Sequence, residues 1–173
     1  ASENQVLDFK FFGRDEVDIC SEGDVHRIIE ENKPNYVINC AAYTAVDKAE
    51  TEVNQCFAIN RDACATITNV LNGKHIKLVH FSSDYVYNSY TGFPIKEEDN
   101  KNPQSVYATS KLEGENIIRA SEVPTLIIRT SWVVSSFGHN FVKTMKKLGA
   151  EREQLNVVND QYGAPTYARH LAK

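Results

Sequence analysis

The sequence predicts an α/β fold on a mostly parallel sheet, from three observations. Short apolar runs alternate with longer segments of helical period, a pattern that joins strands by right-handed helical crossovers. Several of these short runs end in a polar segment, as strands do when ligands gather at their carboxyl ends. The length, 173 residues, is one domain's worth and enough to bury a core.

In chain order, residues 7–12 read as a strand. Ser21 caps a helix running to about Asn32, with Val25, Ile28 and Ile29 on one buried face. Lys33-Pro34-Asn35 breaks it, and residues 36–40 form a buried strand. A second helix runs from about Glu52 to Leu71, turning Val53, Cys56, Phe57, Ile67, Val70 and Leu71 inward, and Asn72-Gly73 stops it. Residues 76–82 are the next strand. Gly92, Pro94, Asn100, Asn102 and Pro103 mark a loop, followed by a helix from about Gln104 to Ala120. A strand over 125–129, a helix over 140–148, a strand over 155–158 and the start of a helix after Thr166 complete the chain.

Composition narrows the function. A net charge of −4 and a pI near 5.7 argue against a general nucleic-acid binder. The four cysteines, Cys20, Cys40, Cys56 and Cys64, show neither CxxC nor metal-like pairing with histidine. Cys40, Cys56 and Cys64 read as buried thiols, and the five histidines as structural or surface residues. No run approaches membrane-spanning length and no signal-peptide pattern opens the sequence, so the expectation is a cytoplasmic protein off the membrane.

The chemistry concentrates in two segments. Tyr107 and Lys111 stand four apart on a predicted helix, hence on one face. An ammonium beside a phenol favours the phenolate and lowers its pKa. Ser83, in Ser82-Ser83-Asp84-Tyr85, delivers a hydroxyl from a strand end, where it can hold a carbonyl oxygen. Together they suit hydride chemistry at a carbon–oxygen bond. By spacing alone, which chance provides in about half of such chains, a surface helix pair is the better account of the tyrosine and lysine. An ordinary serine/aspartate turn explains the second segment. The small Ala41 and Ala42, with Thr44, allow close approach of a ligand after the second buried strand, or serve a tight turn. Trp132 either walls a sugar or base at the same rim or fills the core.

The ordered set NCAAYTAVDKAE, SSDYVY, VYATSKLEGE, RTSW, HNFVKTM and NDQYGAPT resembles the dTDP-4-dehydrorhamnose reductases of the extended short-chain dehydrogenase/reductase family, over nearly the whole chain. The resemblance implies a Rossmann-like doubly wound parallel sheet binding NADPH or NADH, a nucleotide-sugar substrate, and room for a homodimer. By position, Tyr107 is the general acid at C4 oxygen. Lys111 holds the nicotinamide ribose and depresses the Tyr107 pKa, and Ser83 stands where the family usually has threonine. Asp84 and Trp132 match substrate-side positions. Asp18 and Ile19 lie near adenine, and Ala41, Ala42 and Thr44 line the cofactor path. Asn60 matches a helix asparagine that supports the site, although a solvent-facing helix position explains it as well. The segment Phe12-Gly13-Arg14 carries no acid at the expected strand tip and a cation beside it, which favours the 2′-phosphate of NADPH.

The chain lacks the family's first strand and GxxGxxG turn. Residues 1–5 resemble the end of the helix that follows that turn. Residues 1–173 therefore read as an incomplete NAD(P)-binding domain within a longer enzyme, with about 131–173 leading into a mostly absent substrate part. Two alternatives stand beside the reductase: another nucleotide-sugar reductase or epimerase of the extended family, and a non-catalytic regulatory subunit like the β subunit of methionine adenosyltransferase.

Overall fold

The computed structural model describes residues 7–87, 93–161 and 163–173. Residues 1–5, Gly92 and Tyr162, all used in the sequence analysis, lie outside them. Helix α1 (Glu22–Asn32) starts at Ser21, whose Oγ accepts from the Asp24 N–H. It ends at Lys33, whose left-handed backbone turns the chain into Pro34. Strand β1 (Tyr36–Asn39) follows, then a short helix α2 (Val46–Ala49). The predicted 52–71 helix is three pieces: α3 (Val53–Phe57), a π-helical segment Ala58–Asp62, and α4 (Ala63–Leu71). Then come β2 (Lys77–Ser83), a single 3₁₀ turn (Asp84–Val86), α5 (Val106–Ala120) and β3 (Thr125–Thr130).

Strands β1, β2 and β3 lie side by side in that order, all parallel. Period-two alternation sends Val37, Leu78 and Ile127 to the face covered by α1, α4 and α5. There Val25, Ile29, Cys64, Ile67, Leu71 and Ile118 close the main core. A second, smaller parallel pair joins β4 (Val133–Val134) to β5 (Thr166–Tyr167), with α6 (Phe141–Glu151) between them and α7 (Ala168–Leu171) after. Among the described residues no helix is long and apolar enough to cross a membrane.

Four expectations need correction. Residues 7–12 form no strand, because no described strand lies beside them to take their N–H and C=O groups. Leu7, Phe9, Phe11 and Phe12 are exposed instead. Residues 155–158 likewise stay unpaired, since it is Thr166–Tyr167 that pairs with β4. Strand β1 is only half buried: Val37 and Asn39 face the helices, while Tyr36 and Ile38 look out from the uncovered face. Finally, Cys40 and Val53 are exposed, Cys40 because the strand ends at Asn39 and the chain leaves the sheet there.

Candidate active site

Helix α5 is fixed at its start by two caps. Ser105 Oγ accepts from the Ala108 N–H (3.1 Å), and Glu50 Oε1 reaches across from the turn after α2 to accept from Val106 N–H (2.9 Å). Glu50 is thus an anchor for the helix that carries Tyr107 and Lys111, one turn apart. Strand β2 ends at Ser83, whose hydroxyl donates to Asp84 Oδ1 (3.3 Å) and accepts from Tyr85 N–H (3.2 Å). Tyr85 meets Tyr107 edge to face, with ring centroids 6.0 Å apart. The structure therefore brings Tyr107, Lys111, Ser83 and Asp84 together at the carboxyl end of β2.

The electrostatics differ from the expectation in one respect. Burial pushes the Tyr107 phenol above its ordinary value; a hydrogen bond from Ser83 opposes the rise and the charge of Asp84 adds to it. Lys111 does not overcome this, because its Nζ is directed to the Phe81 carbonyl oxygen (2.7 Å) and lies 3.5 Å from His80 Nε2. Burial holds Lys111 itself below the usual lysine range, opposed by Cys64, Glu115 and Cys56. Burial also raises the Asp84 carboxyl.

Behind the pair lies a buried polar lattice. Asn60, on the π segment, is 1% exposed, which excludes the solvent-facing alternative. Its Oδ1 accepts from Tyr43 N–H (2.9 Å), and its Nδ2 donates to Tyr43 O (3.1 Å) and to Ser110 Oγ (3.0 Å). Ser110 in turn donates to the Tyr107 carbonyl (2.7 Å). Gly114 lets α5 approach this segment: a Cβ there would stand 2.2 Å from the Asn60 carbonyl oxygen. On the other side of the helix, Arg129 makes a two-pronged ion pair with the fully buried Glu115 (2.9 and 2.5 Å). It also donates to the Tyr87 hydroxyl and to Glu97 O, which ties the segment after the 3₁₀ turn to α5.

Sequence reading missed His80, Glu115 and Ser110 as site residues, though simple signals pointed to them. Period two places His80 on the face of Leu78 and Ser82. Ser110 stands one turn before the small Gly114 on α5. Glu115 stands one turn beyond Lys111.

The remaining predicted residues fall in separate places. Ala41 and Thr44 are exposed and Ala42 half-buried just past β1. Arg14, Asp18 and Ile19 stand apart, on the 13–20 segment, which touches the π segment through Cys20 Sγ and Ala58 O (3.4 Å). The tip is not free of acid: the turn folds Glu16 back so that its Oε2 accepts from Gly13 N–H (2.7 Å). Trp132 has a left-handed backbone (φ 44°), an uncommon conformation for a bulky residue. It packs against Phe141 and on Gly163, where any Cβ would meet the indole at 2.5 Å. Trp132 lies two residues past Thr130, the register partner of Ser83. The Thr130 hydroxyl is buried without a partner among the described residues, leaving a polar valence open at this rim.

A parallel sheet with a tyrosine–lysine helix and a strand-end hydroxyl on one rim has the geometry of a dehydrogenase-type site. The chain belongs to the family described as the RmlD substrate binding domain, whose model matches residues 2–173. It is 42% identical over 160 residues to the dTDP-4-dehydrorhamnose reductase of Sinorhizobium fredii, covering 92% of this chain and 54% of that protein. The Escherichia coli enzyme of the same name is 40% identical over 155 residues, covering 90% and 52%. Among solved structures, the Bacillus anthracis dTDP-4-dehydrorhamnose reductase in complex with NADP superposes with a TM-score of 0.89 at 38% identity, covering 92% of this chain and 57% of that one. The chain spans about half the length of the curated relatives it matches.

Proposed function

We propose that this chain is part of an NADPH-dependent reductase that converts the 4-keto group of dTDP-4-dehydro-L-rhamnose to the alcohol of dTDP-L-rhamnose. The observation that carries the reading is the convergence of Tyr107, Lys111 and Ser83 on one rim, in a family whose relatives bear that reductase name. Substrate identity comes from those names, and NADP from the Bacillus anthracis complex.

The residues present fit part of such a cofactor. Ala41 and Ala42 leave backbone open past β1, the Thr130 hydroxyl lacks a partner among the described residues, and Lys111 lies one helical turn from Tyr107. Arg14, Asp18 and Ile19 would serve the adenosine end, with Thr44, Tyr107 and Lys111 toward the nicotinamide end. When bound, the cofactor supplies hydride. The chain's own residues do the rest. Ser83 has one hydroxyl proton, shared between Asp84 and the Tyr107 oxygen, and turns it to the carbonyl oxygen of the sugar. Tyr107, kept protonated by burial, delivers its proton to that oxygen as negative charge develops there. Asp84 and Trp132 border the space for the sugar. Residues 1–173 then form part of an NAD(P)-binding domain, and about 131–173 lead toward the substrate part.

The test is steady-state kinetics of the intact protein with this keto-sugar and each cofactor. Oxidation of NADPH with formation of the 4-hydroxy sugar supports the assignment. Turnover only with other nucleotide keto-sugars removes the substrate, and a large NADH preference in kcat/KM removes the cofactor choice.

A further inference from the structure

The family match leaves His80 without a role, yet its surroundings are specific. It is 1% exposed, between Asn39 (6%) on the neighbouring strand and Lys111 (2%) on the helix above. The amide of Asn39 has one orientation available: its Oδ1 accepts from Ala41 N–H (3.0 Å), so its Nδ2 faces His80 Nδ1 (3.2 Å). Nδ1 must then be the acceptor, and the ring proton sits on Nε2. Nε2 faces Lys111 Nζ at 3.5 Å, while that same nitrogen donates to the Phe81 carbonyl (2.7 Å).

We propose that His80 is a positioning residue for Lys111: Asn39 holds the imidazole in one tautomer, whose Nε2–H points at the lysine nitrogen and favours its neutral, lone-pair-bearing form. An N–H aimed at an ammonium is repelled, whereas one aimed at an amine is accepted. The imidazole is itself kept neutral chiefly by burial, with a pKa pushed down to about 4, so it does not lose this role near neutrality. The other groups facing Lys111 act the opposite way: Cys64 on α4, Cys56 on α3 and Glu115 on its own helix favour its charge. The charge of Lys111 is thus opposed and favoured by residues on four different elements. Turnover as a readout of this balance rests on the reductase reading; the titration of Lys111 does not.

The experiment compares the parent protein with His80→Phe, His80→Gln and Asn39→Leu in the intact chain. Lysines are labelled at Cε with carbon-13, and the Lys111 resonance is assigned by its loss in Lys111→Met. Removing the Nε2–H in His80→Phe should raise the Lys111 pKa by about one unit, and Asn39→Leu should raise it in the same sense by freeing the tautomer. His80→Gln, which keeps an N–H donor at this place, should stay near the parent. In turnover, His80→Phe should lower kcat about 10-fold with KM within about 2-fold, and displace the pH profile; His80→Gln should restore both. An unchanged Lys111 titration in both His80→Phe and Asn39→Leu overturns the inference. So does a His80→Gln protein displaced as far as His80→Phe, which would leave His80 as packing alone. If His80→Phe fails to fold, Asn39→Leu against His80→Gln decides the same question. A parent that does not reduce the keto-sugar removes the reductase reading, while the titration still decides the role of His80.

Discussion

Gly114→Ala tests the contact on which the site geometry depends. The added Cβ would stand 2.2 Å from the Asn60 carbonyl oxygen, 3.1 Å from Cys64 Sγ and 3.3 Å from the Asn60 carbonyl carbon. An ordinary carbon–oxygen contact is about 3.3 Å, so α5 and the π segment must part by about 1 Å. The obstacle is backbone and cannot swing away, which puts the cost at the upper end of overpacking, about 3 kcal/mol. Alanine recovers about 1 kcal/mol of helix propensity, leaving a net loss of about 2 kcal/mol. For a domain of this size that lowers Tm by about 4–8 °C. The control is Gly149→Ala in α6, where nothing lies within 4 Å of the new Cβ, and which should gain about 0.5–1 kcal/mol. Thermal unfolding followed by circular dichroism reads both. Turnover adds a second reading, since a shift of about 1 Å in the Asn60 lattice costs on the order of 100-fold in rate. A Gly114→Ala protein as stable as its parent would refute the close-approach argument outright.

Three further outcomes are expected at the site. Tyr107→Phe should lower kcat by about 100- to 10,000-fold with cofactor affinity nearly intact; near-normal turnover would remove the proton-donor role. His80 links stability to pH. Its folded pKa of about 4 lies below the ordinary 6.5, so the unfolded chain binds the extra proton between those values. Stability from this group is present above pH 6.5 and is lost as pH falls toward 4, amounting to about 2 kcal/mol between pH 7 and pH 5. Urea unfolding at the two pH values should show that loss in the parent and not in His80→Gln. Finally, with the Tyr107 phenol raised by burial, kcat/KM for reduction should hold through neutrality and fall only on the alkaline side of the ordinary phenol range. A fall beginning below pH 8 would contradict it.

The sheet was legible from sequence wherever a strand has both a neighbour and a helix over one face. Strands β2 and β3 and helices α1 and α5 fall within two residues of their predicted bounds, because apolar patterning, Ser21 and the Lys33-Pro34 break are all local signals. Residues 7–12 carry the same apolar pattern but lack a partner, and pairing is not written in a strand's own residues. The π segment was hidden for a related reason: Cys56, Asn60, Cys64 and Ile67 keep a helical stripe whether or not the turn is widened. At the candidate site, Tyr107, Lys111 and Ser83 were singled out through spacing and resemblance. His80 and Glu115 looked like ordinary polar residues until the fold placed one beneath Lys111 and the other against Arg129.

The correction to Tyr107 bears on the direction of the chemistry. Spacing alone suggested a lysine that turns the phenol into phenolate. A phenolate is the state needed to take a proton from an alcohol during oxidation, whereas reduction needs the phenol to arrive protonated. In this structure the lysine nitrogen is drawn to the Phe81 carbonyl and His80, and burial keeps the proton on Tyr107. Burial disfavours charge on both members of the pair, lowering the lysine and raising the tyrosine. In a buried site of this kind, preorganised donors respond most strongly when negative charge first appears on a bound oxygen. The resting arrangement thus suits proton delivery, and the Ser83–Asp84 contact holds the second donor within reach of Tyr107 until that oxygen competes for it.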